Sequence, residues 1–68
     1  MAGREREGVR IRTLLAQSCA RILAEEGVVD FLVAKRKAAQ RLGVGRSLTM
    51  PSNIEIQEAL TEYRRLFG

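Results

Sequence analysis

Apolar positions recur with a helical period in three stretches of the chain. Ile11, Leu14, Leu15, Ser18, Cys19, Ile22 and Leu23 follow i, i+3, i+4, i+7, i+8, i+11, i+12 spacing, which lines one face of an α-helix. Ala16, Ala20 and Ala24 add helix propensity to the same stretch. Phe31, Ala34, Ala38 and Leu42 form a second stripe, with Val28, Leu32 and Ala39 beside it. Ile56, Leu60, Tyr63 and Phe67, with Ala59, form a third. The pattern predicts an all-α, three-helix unit over about residues 10–26, 30–42 and 52–67.

Residues at the ends of these stretches punctuate them. Gly27 follows Glu25 and Glu26 and suits the left-handed position that closes a helix. Two glutamates in a last turn oppose the helix dipole, so the nearby lysines are expected to compensate them. Asp30 is an expected N-cap for the second helix, which ends at Gly43 with Arg41 in its last turn. Residues 44–51, VGRSLTMP, read as a loop. Ser52 and Glu55 match a capping box that opens the third helix. Glu55 and Glu58 early, and Arg64 and Arg65 late, suit its dipole. Residues 1–8 alternate Arg and Glu around two glycines and are expected to be a flexible charged N-terminus with little structure before Val9. Residues 9–68 then form one domain, in which helices one and three sandwich helix two.

At 68 residues the chain buries only about 60% of its unfolded surface, so its core is small. Cys19 is the single cysteine, so no internal disulfide can staple it. A homo-oligomer or a protein partner is therefore an expected source of stability. Histidine is absent, which leaves a poor ligand set for zinc. The net charge of +4 and the pI near 10.2 admit acidic surfaces, nucleic acid or anionic lipid as partners. No stretch approaches the ~20 apolar residues of a membrane span, and the first ten residues do not resemble a secretory signal. The expected location is the cytoplasm.

Candidate chemistry is sparse. Lys35, Arg36, Lys37, Arg41 and Arg46 are the candidate nucleic-acid contacts. Successive helical residues stand about 100° apart, so the Lys35–Lys37 triplet spreads over several faces. Lys35 falls between Val28 and Leu42 on the wheel; its stem is expected to pack while its ammonium reaches water, Glu25 or Glu26. The alternative is a desolvated lysine of lowered pKa, but nothing supplies a second catalytic group. Gly43–Ser47 is glycine-rich but has neither the spacing nor the preceding strand of a phosphate-binding loop. Cys19 faces inward and reads as an inert thiol. Asp30 is the only aspartate, too few carboxylates for a two-metal site. The expectation is a chain without catalytic residues, metal, cofactor or small-molecule substrate. Leu60, Tyr63 and Phe67 are the candidate protein-interaction residues, as an incompletely covered stripe.

The run from Ala20 to Phe67 resembles a larger group. ARILAEEGVVDFLVAKRKAAQRLGV, then PSN, Glu55-Ile56, Ala59-Leu60 and YRRLF, is similar to the N-terminal helical region of uncharacterised bacterial proteins. In longer members that region precedes a domain of nucleotidyltransferase type. Such a domain carries Gly-Ser followed by paired aspartates, and no aspartate follows Ser47. The resemblance therefore implies the helical region alone, as a stand-alone homologue or a piece of a longer protein. A weaker resemblance links ILAEEG and AAQRLGV to the opening of TetR-like helix-turn-helix repressors, which implies DNA binding. There a recognition helix follows the glycine turn directly, whereas here the next helix waits until after Pro51 and begins with Glu55 and Glu58.

Overall fold

Three helices, α1 (Ala2–Glu25), α2 (Phe31–Leu42) and α3 (Asn53–Phe67), account for the described secondary structure. The structure, a computed structural model, describes the backbone of residues 2–43 and 50–68, with side chains from Val9 onward. The all-α, three-helix expectation holds. Residues 44–49, which carry most of the expected loop and the candidate Arg46, lie outside the described residues.

The helix ends follow the capping chemistry in the sequence. The Leu32 backbone N–H donates to Asp30 Oδ1 at 2.9 Å, which caps α2. Gly27 and Gly43 adopt φ of 69° and 71°, left-handed values that a side chain resists. In the capping box of α3 the Glu55 N–H donates to Ser52 Oγ at 3.2 Å, while the Ser52 N–H reaches Glu55 Oε1 at 3.4 Å. One end differs from expectation. Helix α1 begins at Ala2, well before Val9. Extending an existing helix costs far less than starting one, and alanine, arginine and glutamate are all good helix formers.

The order of packing also differs. Helix α1 lies in the middle, packed against both α2 and α3, which barely touch each other. The sequence suggested that α2 would be the filling of the sandwich. It buries only Ala34 and Ala38, a strip with room for one neighbour. By contrast α1 buries Leu15, Ala16, Cys19, Ala20, Ile22 and Leu23, an arc broad enough for two. Leu14, placed in the α1 stripe by its spacing, is 46% exposed, and Ala16 and Ala20 are buried instead. Ile56 and Leu60 of α3 complete the core, with Ile11, Val28, Phe31, Ala39, Met50, Ala59 and Tyr63 packed around it.

An ion pair and a hydrogen bond tie α3 to α1. Arg12 Nε donates to both carboxylate oxygens of Glu55, at 2.9 and 2.8 Å. Glu55 thus caps α3 and anchors its first turn to α1 at once. At the other end the Tyr63 hydroxyl donates to Glu25. The pairs Arg12–Glu55 and Glu25–Tyr63 show that α3 runs in the same direction as α1. This parallel course positions the surface described next.

Candidate functional site

Along one side of the α1–α3 seam runs a groove of about 700 Å³. Ala16, Ala20 and Ala59 lie at its base, and Tyr63, Leu66 and Phe67 form its apolar end. The apolar end arises from how far each helix runs. Ile56, Leu60, Tyr63 and Phe67 share one stripe of α3, but Tyr63 already meets Glu25, the last residue of α1. Phe67, one turn further on, has no α1 backbone to cover it and is 73% exposed. Its ring rests against Tyr63 with centroids 5.0 Å apart. Leu66, on the groove side, is 63% exposed.

The rim of the groove is acidic. Glu25, Glu55, Glu58 and Glu62 line it, against a single lining cation, Arg21. This local charge opposes the +4 of the whole chain. Glu55 is turned partly aside toward Arg12, whose hydrogen bonds hold its carboxyl below the usual carboxylate range. Glu62 pairs with Arg65 at 2.6 Å, and Arg21 stands 3.6 Å from Glu25. Glu58 makes no ion pair among the described residues. The Tyr63 phenol is shifted upward, first by its hydrogen bond to Glu25, then by partial burial and the carboxylate's charge.

The sequence-derived protein-interaction residues divide accordingly. Leu60, only 7% exposed, belongs to the core and offers no free surface. Tyr63 is half-buried, and Phe67 is open. Leu66, Glu58 and Glu62 join Tyr63 and Phe67 at the groove and flank the apolar stripe at helical spacing. Their signal was present as the 55-58-59-62-63-66 series, which mixes acidic and apolar residues and so does not register as one face.

The candidate nucleic-acid residues do not assemble into one open patch. Glu26 accepts from both terminal guanidinium nitrogens of Arg41, one of them at 2.8 Å, and stands 3.7 Å from Lys37 Nζ. These contacts, the Arg41 hydrogen bond foremost, hold the Glu26 carboxyl below its ordinary range. The cations thus compensate the end of α1, as the dipole argument required, with Arg41 and Lys37 in the place considered for Lys35. Lys35 is half-buried beside Cys19, and Arg36 is exposed on the far face of α2. Cys19 is buried, and desolvation pushes its thiol up despite the nearby Lys35 charge.

Among the described residues, no group of three His, Cys, Asp or Glu side chains is placed to hold a metal ion. No helix among them is long and apolar enough to cross a membrane. No protein-family model, curated protein or solved structure matches the chain.

Proposed function

We propose that the chain is a non-catalytic interaction or accessory module of the cytoplasm, and that it docks protein through the α1–α3 side. One observation carries this reading: Leu66 and Phe67 stand largely in water beside half-buried Tyr63, at the open end of a groove. Clustered apolar side chains next to a concavity favour association, whereas scattered ones do not. The resemblance of Ala20–Phe67 to a helical region that accompanies a larger domain agrees with an accessory role.

The rival reading is nucleic-acid binding through α2. A helix-turn-helix packs its two helices together across a short turn. Here α2 and α3 barely touch, and α3 opens with acidic residues. Two of the four described candidate cations, Lys37 and Arg41, already face Glu26. Anisotropy of labelled duplex DNA and structured RNA, titrated at several salt concentrations, tests the choice. The interaction reading expects no micromolar binding even at low salt. Micromolar binding with a steep salt slope, abolished by Lys37→Glu with Arg41→Glu, would replace it with the basic-helix reading.

A further inference from the structure

We propose that the occupant of the α1–α3 groove is a basic amphipathic helix of a partner protein, an inference that rests on the docking role just argued. Three features lead there. The described fold is helical throughout and presents no sheet edge, so a strand has nothing to pair with, whereas an elongated groove between two helices suits a helix laid along it. From Glu55 to Phe67 the α3 wall measures about 18 Å at 1.5 Å per residue, the length of a helical segment of about twelve residues. Its apolar contacts, Ala59, Tyr63 and Leu66, alternate with Glu55, Glu58 and Glu62 along the same wall. A visiting helix that lays leucine-like side chains on the first set presents lysine or arginine to the second.

Charge complementarity selects the sign of the partner. The groove lining holds four glutamates and one arginine in a chain of net charge +4; Arg12 and Arg65 pair with Glu55 and Glu62, and the lining is left acidic by Glu58. Glu58 has no ion pair among the described residues, and the Glu62–Arg65 pair is exposed enough to be exchanged at little cost. A second copy of this chain is the poorer occupant. Face to face about a dyad, two such grooves would oppose glutamate to glutamate. Docking of a different face into the groove would make a head-to-tail contact, which builds rings or filaments rather than a dimer.

The test uses the full chain and three fluorescent probes of about fourteen residues each, with the same leucine face: a Lys/Leu peptide, a Glu/Leu peptide and a Gln/Leu peptide. The Lys/Leu peptide is expected to bind tightest and to weaken with added salt. Glu58→Lys with Glu62→Lys should weaken it by roughly tenfold or more, because two exposed attractions become repulsions. Both positions are exposed, so the far-ultraviolet circular dichroism should stay unchanged. Leu66→Ser with Phe67→Ser should weaken all three peptides. Equal binding of the three, or indifference to the glutamate reversal, would overturn the basic partner; the docking role would survive if Leu66→Ser with Phe67→Ser still abolished binding. No association with any peptide would overturn both. Sedimentation of the protein alone supplies the remaining outcome: a dimer lost on Leu66→Ser with Phe67→Ser would put a second copy in the groove and overturn the basic partner.

Discussion

The two sides of α1 are covered in different ways. Toward α2 the seam is built on Ala34 and Ala38, and Glu26 gathers Lys37 and Arg41 beside it. Toward α3 the seam is built on Ile56 and Leu60, but its flank stays open as an acidic groove ending in exposed Leu66 and Phe67. The basic run that dominates the sequence is thus partly spent on neutralising a helix end. The side that looks ordinary in sequence keeps its apolar end open, and of its four lining glutamates Glu58 makes no ion pair among the described residues. A charge run along a helix is distributed around it, and what remains unneutralised depends on which neighbours arrive.

The largest expected effect lies in the α3 seam. Ile56 is fully buried, and Ile56→Ala should cost about 2–5 kcal/mol, which in so small a domain shifts the urea midpoint drastically or abolishes folding. The α2 seam should fail in the opposite way. Ala34→Leu or Ala38→Leu adds volume where none is free and should cost about 1–3 kcal/mol by the same urea measurement. If Ala38→Leu were neutral, the seam would be looser than described and the contrast between the two sides would weaken. Ser52→Ala removes the cap of α3 and should cost about 1 kcal/mol, with the loss concentrated in hydrogen-exchange protection of its first turn.

Acid provides a finer probe. Glu26 and Glu55 have carboxyl groups held down by Arg41 and Arg12. Their contribution is present above the unfolded carboxylate pKa of about 4.3 and is lost as pH falls through the lowered folded values. Urea midpoints should therefore drop between mildly acidic and strongly acidic solution, and Glu26→Gln with Glu55→Gln should flatten that drop. The reverse sign applies to Tyr63, whose raised phenol pKa contributes below the ordinary value of about 10 and ceases to contribute as pH rises past the folded value. As the chain's only tyrosine, without tryptophan, it can be followed by phenolate absorbance alone. Glu25→Gln should bring its titration back down.

Much of the fold was legible because it is local. The capping box at Ser52, the Asp30 cap and the glycines at 27 and 43 act within a few residues of their own position, so their geometry follows from the sequence alone. The central place of α1 was less legible. Periodicity marked one stripe with Leu14 in it, whereas Ala16 and Ala20 became the buried positions once α3 settled beside them. Small residues can face a neighbour or water equally, and only packing decides. The groove was hidden for a related reason: Glu58, Glu62 and Leu66 acquire a shared meaning through their position across from Thr13, Gln17 and Arg21, which are more than thirty positions away. Glu26 likewise meets Arg41 fifteen residues on, a pairing no single-helix wheel displays.

The contrast between the two sides is tested most directly by mapping backbone amide shifts while titrating the protein with the Lys/Leu peptide and, separately, with duplex DNA. The peptide is expected to move residues 55–67 and the facing positions of α1, and DNA to leave residues 35–41 in place at moderate salt. Shifts confined to residues 35–41, produced by DNA and absent with peptide, would contradict that contrast and return the function to the basic helix.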